Sequence, residues 1–160
     1  MLTWDTDGTI RRMGKLAQEI SLSKVECIVS PLPQQLLIGI PSIDEEHQSL
    51  LEQLDDLFQS PNDNPQSAQF SEDLSRLSSN LIDHFTNEER VMRSIGISSG
   101  ELARHMDAHS AIIEQITQLS FDLMKRRQIE RGEVVARMKD WILGHLTEHD
   151  LDLRNYPPPA

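Results

Sequence analysis

The segment LSSNLIDHFTNEERV, residues 77–91, carries the reading of the whole chain. One line through it steps by four, three, four and three residues: Leu77, Leu81, His84, Glu88, Val91. Residues three and four apart share one face of an α-helix. A helix that buries this face buries an imidazole and a carboxylate among leucines. The line extends back to Phe70 and Leu74 and on to Ile95, which predicts a helix over residues 70–95.

Three more segments repeat the pattern. Residues 42–58 align Ile43, His47, Leu50, Leu54 and Leu57. Residues 102–124 align Leu102, His105, His109, Ile112, Ile116, Leu119 and Leu123. Residues 134–153 align Val134, Met138, Trp141, His145 and His149. Ser60-Pro61-Asn62-Asp63-Asn64-Pro65 reads as a loop after the first helix. Residues 94–100 break the second helix from the third, which Ser98 or Ser99 is placed to cap. Residues 127–132 form the last turn, and Tyr156-Pro157-Pro158-Pro159-Ala160 cannot continue a helix. The chain is therefore expected to be all-α, a bundle of four helices.

A lone inward histidine is more often a hydrogen-bonded core residue than a ligand. His47 by itself would mean no more than that. His84 and Glu88 lie one turn apart on one face, as do His105 and His109. Burying so many imidazoles without partners would cost several kcal/mol. Together they point to a metal centre. Imidazole and carboxylate without thiolate suit iron, zinc, copper or nickel. Five histidines and two carboxylates exceed the needs of one tetrahedral zinc, so two metals are expected. With both carboxylates and one solvent oxygen bridging, about eleven of roughly twelve octahedral positions are filled. One position stays open on one metal, within reach of a small diatomic ligand.

The pattern resembles the hemerythrin family, the bacterial hemerythrins in particular. The resemblance rests on Gly39-Ile40 with Ile43-Asp44-Glu45-Glu46-His47, then His84-Phe85-Thr86-Asn87-Glu88-Glu89, then His105-x-x-x-His109, then Trp141-Ile142-Leu143-Gly144-His145 with Asp150. It covers about residues 38–156, and these spacings in this order are highly specific. The resemblance implies an up-down-up-down four-helix bundle around two iron ions with an oxo or hydroxo bridge, and reversible binding of molecular oxygen. It implies that His47, His84, His105, His109 and His145 bind iron and that Glu88 and Asp150 bridge. Helical spacing alone would favour His149, one turn after His145. Asp150 is rotated by about 140° from His145, so it needs a local bend or a reaching side chain. His149 is accordingly given an outer or surface role. Leu50, Phe85, Ile112, Trp141 and Ile142 are expected to wall the oxygen pocket and exclude water, although each also has a plain core role.

The chain departs from the family in three places. Gly96-Ile97-Ser98-Ser99-Gly100 replaces a common Tyr-Pro turn, Ile112 stands where an aromatic is common, and residues 34–38 lack a tryptophan. These changes touch the pocket wall and lead-in, not the ligands. They predict altered oxygen affinity and oxidation rate.

A length of 160 residues suits one bundle domain, residues 38–156, with an N-terminal extension, residues 1–37, and a short tail, residues 157–160. The net charge of −11 argues against nucleic acid and against an anionic membrane as partners. Asp5, Asp7, Glu19 and Glu26 balance Arg11, Arg12, Lys15 and Lys24, so the excess lies wholly in the bundle. The single cysteine, Cys27, allows no internal disulfide and fits a reducing, cytoplasmic setting. No run resembles a signal peptide or a membrane span. In the extension, Ile10, Met13, Ala17 and Ile20 suit a short amphipathic helix, residues 26–30 are strand-like, and Pro31 and Pro33 mark a linker. Trp4 is a candidate for the displaced upstream tryptophan. The extension is either a plain arm or a docking surface for a protein partner or a second copy.

Three roles compete: an oxygen carrier or store, a sensor of oxygen, redox state or iron acting on a separate partner, and a di-iron oxidase. Di-iron oxidases of this architecture use Glu-x-x-His pairs. No such pair lies on a seam here, since Glu46 and Glu148 directly precede His47 and His149. The expectation is a non-enzymatic oxygen binder.

Overall fold

The computed structural model describes residues 30–60, 64–125 and 127–157. The predicted helix around Ile10–Ile20, Trp4, Cys27 and most of the strand-like run at 26–30 lie outside the described residues. Four helices form: α1 Pro41–Gln59, α2 Ala68–Ser94, α3 Ser99–Met124 and α4 Arg131–Glu148. Neighbours in sequence pack together, and α1 also packs on α4, which closes the bundle. Among the described residues there is no strand, and no helix is long and apolar enough to cross a membrane.

The helix ends follow local chemistry. Pro41 opens α1, where its missing N–H costs nothing. Ser67 caps α2 by accepting from the Phe70 N–H, and Ser98 caps α3 by accepting from the Glu101 N–H. Gly96, at φ 78°, turns the chain out of α2, and the Ile97 N–H returns to the Met92 carbonyl at 3.3 Å. Gly39, at φ 87°, bends the lead-in so that the Asp44 carboxylate accepts from the Ile38 and Gly39 N–H groups at 2.6 and 2.9 Å.

The predicted fourth helix, 134–153, differs in two ways. It begins earlier, at Arg131, whose guanidinium donates to the Phe58 and Ser60 carbonyls. It also ends earlier, at Glu148. His149 leaves helical geometry at φ −125°, ψ −55°, and Asp150–Asn155 continues as a tighter 3-10 segment. This is the bend that a carboxylate five residues after His145 requires.

The seams pack as two apolar clusters. The larger joins all four helices and includes Leu54, Leu57, Phe70, Leu77, Ile116, Leu119 and Met138. The smaller holds Ile38, Ile40, Ile43, Val91, Met92 and Leu153. Ile43 lies one turn before His47, Met92 one turn after Glu88, and Leu153 follows Asp150 by three residues. Leu50, Phe85, Ile112 and Ile142, on the other side of the same polar residues, belong to the larger cluster. The polar layer is thus plugged by apolar side chains above and below.

Residues 30–37 are fastened to the bundle. Leu36, in the turn Gln34–Leu36, is fully buried. The Ser30 N–H and hydroxyl both donate to Asp55, and the Leu32 N–H donates to Gln48. Arg154 donates to the Leu37 carbonyl at 2.5 Å and to that of Gln35.

Candidate metal centre

His47, His84, Glu88, His105, His109, His145 and Asp150 are all buried and meet in one layer. Each helix contributes from the same end of the bundle: the start of α1, the end of α2, the start of α3 and the end of α4. The residues fall into two groups, within each of which one ligand atom per residue lies within 4.8 Å of the others. One group is His105, His109, His145 and Glu88. The other is His47, His84, Asp150 and Glu88. Glu88 belongs to both. Asp150 also spans them, because its Oδ2 lies 3.1 Å from His47 Nε2 while its Oδ1 lies 2.8 Å from His145 Nε2 and 3.1 Å from His105 Nε2.

The donor set fits a pair of cations better than it fits itself. Nε2 atoms approach in pairs: His47 and His84 at 3.2 Å, His105 and His145 at 3.1 Å, His109 and His145 at 2.9 Å. Neutral imidazoles facing one another through lone pairs repel unless a proton or a cation lies between them. Donors about 2.1 Å from an octahedral ion stand about 3.0 Å apart, and those of a tetrahedral zinc about 3.4 Å. The observed spacings lie in the range that ligands of one cation occupy. Glu88 Oε1 and Asp150 Oδ1 are buried without an aligned hydrogen bond, although the latter is close to two ring nitrogens. Both oxygens are therefore available to a cation.

Charge within the layer favours the protonated form of two of its imidazoles. Burial lowers His105 and His145, but the Asp150 and Glu88 carboxylates outweigh it and raise them to about 9 and about 10. Burial and mutual repulsion push Glu88 up, yet its three histidine partners bring it well below the usual carboxylate range. Burial likewise raises Asp150, and the charge of His145 with the contacts to His105 and His47 more than reverses it. Two carboxylates compensated by two imidazolium ions carry the charge that metals would replace.

Hydrogen bonds also reach outward. His84 Nδ1 donates to Glu46 Oε2 at 2.8 Å, and His109 Nδ1 donates to Glu89 Oε1 at 3.0 Å. The ring of Phe85 stacks on His109 with centroids 4.0 Å apart. Both glutamates lie in the motif stretches, but the pattern gave neither a role, because each touches a histidine on another helix.

Of the expected pocket wall, Leu50, Phe85 and Ile142 line a cavity of about 10 Å³ beside His47, His84, His145 and Asp150. Leu81 completes it and was missed, although it stands on the α2 seam one turn before Phe85. Ile112 and Trp141 are buried in the same core and are not among the lining residues.

His149 is half-buried, its ring 5.1 Å from that of His145 and 5.6 Å from that of His105. It sits outside both groups, on a separate cavity of about 110 Å³ shared with Arg104 and Tyr156. Burial and the charges of His145 and His105 lower it to about 4. His149→Ala is therefore expected to keep the full metal content, and Asp150→Ala to lose at least one ion. Metal analysis of both variants after identical loading checks this, and the reverse result would give His149 the ligand role.

A family model described as the hemerythrin HHE cation binding domain matches residues 38–154. A protein named myohemerythrin, from Theromyzon tessulatum, is 30% identical over 108 residues, covering 68% of this chain and 77% of the relative. No solved structure matches the chain significantly.

Proposed function

The chain belongs to the hemerythrin family, and on that premise we propose that it binds dioxygen reversibly at two iron ions, as a carrier or store rather than an enzyme. His105, His109 and His145 would hold one ion, His47 and His84 the other, with Glu88 and Asp150 bridging. The observation that carries this reading is the unequal split of one shared layer into groups of three and two histidines. If the two carboxylates and a solvent oxygen were shared, the three-histidine group would offer about six donors and the two-histidine group about five, which would leave one position free on the second ion. The small cavity touches both histidines of the two-histidine group, with His145 of the other group and Asp150 also at its edge, and that free position would open toward it. When bound, the irons would supply the electrons and the open coordination position for dioxygen.

The chain's own residues would control the rest. Leu50, Leu81, Phe85 and Ile142 line the cavity and would exclude water from it, slowing loss of the bound gas and oxidation of the centre. The apolar clusters flank the layer on either side, and the cavity beside His149 reaches it at His105. The single cysteine and the acidic charge support a reducing, cytoplasmic setting without nucleic-acid or anionic-membrane partners.

The test is an anaerobic absorption spectrum of iron-loaded protein, then with air, then after removal of oxygen. A new band that bleaches on deoxygenation is expected. A band that never forms, or cannot be reversed, would hand the role to a sensor or an oxidase. Ile142→Ala is expected to open the cavity and to speed decay to the oxidised form several-fold, measured by stopped flow. An unchanged decay rate would leave the carrier reading standing and remove Ile142 from the pocket wall.

A further inference from the structure

The five histidines differ in what stands behind them. Among the described residues, His47 Nδ1 and His145 Nδ1 are buried with no hydrogen-bond partner. His84 and His109 each have a carboxylate at Nδ1, and there is one such pair in each metal-binding group. Both pairs depend on the same turn of α2, Asn87-Glu88-Glu89. Glu88 points inward to the layer. Asn87 Nδ2, on one side of it, donates to Glu46 Oε1 at 2.7 Å, and Asn87 Oδ1 in turn accepts from Arg90. Glu89, on the other side, reaches His109 itself, and its second oxygen lies 3.6 Å from Arg93.

We propose that Glu46 and Glu89 are positioning carboxylates that fix the tautomer and ring orientation of His84 and His109, one histidine for each iron. This rests on the di-iron reading above. An ionised carboxylate only accepts hydrogen bonds, so Nδ1 of each ring must carry the hydrogen. Nε2 is then left as a lone pair. It is also the atom that faces inward, 3.2 Å from His47 Nε2 for His84 and 3.1 Å from Glu88 Oε2 for His109. A ring in the other tautomer would present N–H to the ion and could not bind it. The charge behind the ring also makes Nε2 a stronger donor. Glu46 is fixed at both oxygens, by His84 and by Asn87, which holds it in place although it is only half-buried. The two groups depend on this unequally. Glu46 secures one of only two histidines, and Glu89 one of three.

The test uses the full chain, loaded anaerobically with ferrous iron, in the variants Glu46→Gln and Glu89→Gln. Glu45→Gln serves as control, since Glu45 is an exposed acid beside Glu46. Glu46→Gln should weaken iron binding by about 10–100-fold, and Glu89→Gln should fall toward the lower end of that range, with helix content unchanged. In proton NMR of the ferrous protein, the exchangeable Nδ1–H signal of His84 should shift in Glu46→Gln alone, and that of His109 in Glu89→Gln alone. Glu46→Asp should restore part of the affinity. If Glu45→Gln weakens binding as much as Glu46→Gln, the effect is surface charge and the proposal is overturned. Unchanged affinity with unshifted signals overturns it too. A wild-type chain that takes up no iron would bring down the di-iron reading itself, whereas two irons in wild type beside indifferent variants would sink only the positioning role.

Discussion

Glu88→Ala is expected to empty the metal centre, taking iron content from two ions per chain to less than one and abolishing the oxygen-dependent spectrum. Glu88 is the single residue common to both four-residue groups. Its Oε2 lies 3.1 Å from both His105 and His109 Nε2 and 3.8 Å from that of His145, while its Oε1 has no hydrogen-bond partner among the described residues. On the proposed di-iron reading, removing it would take a ligand from each ion at once. The loss of affinity should exceed the ~10–100-fold typical of outer partners. The fold should survive, because seams on all four helices feed one apolar cluster in which Glu88 has no part. Metal analysis and circular dichroism after loading check both halves. Retention of two irons would remove Glu88 as the shared ligand.

Stripping iron from the wild type should lower the melting temperature, and the gap should widen as pH rises. Metal that binds only the folded chain, at a thousand times its Kd, stabilises it by about 4 kcal/mol. For a domain of this size that is a shift of roughly 10 °C. The pH dependence follows from the directions of the shifts. His105 and His145 are raised to about 9 and about 10, above their ordinary 6.5. Their contribution to the metal-free fold is complete below 6.5 and is lost as pH climbs through 9 and 10. Glu88 and Asp150 are lowered from 4.5 and 3.8, so their contribution is present above those values and fails only in strong acid. His149, lowered to about 4, acts in the same direction as these carboxylates and against His105 and His145, disfavouring the fold as pH falls below 6.5. The metal-free protein should thus weaken between neutral pH and pH 10. The loaded protein should not, because metal binds deprotonated ligands and is held more tightly as protons leave. Thermal melts across that range, with and without iron, read both effects. A melting temperature indifferent to iron would mean that the layer is held together without it.

The sequence by itself determined the four helices, their inward faces and the set of polar residues that interrupt them. It could do so because helical periodicity is local: a three-four step of Leu77, Leu81, His84 and Glu88 fixes a face whatever that face meets. Resemblance supplied Asp150 against the helical choice of His149, but only the folded chain shows how Asp150 arrives, through the break of α4 at Glu148 and the tighter turn that follows. Tertiary structure alone decided how the seven residues divide into groups of three and two histidines. It decided which wall residues reach the cavity, admitting Leu81 beside Leu50, Phe85 and Ile142. It also paired Glu46 with His84 rather than with its sequence neighbour His47. These facts depend on distances between helices, and spacing along one helix carries no information about which side chain of the next helix stands opposite. A carboxylate beside a histidine in sequence points to a different face of the same helix, so its partner is set by packing.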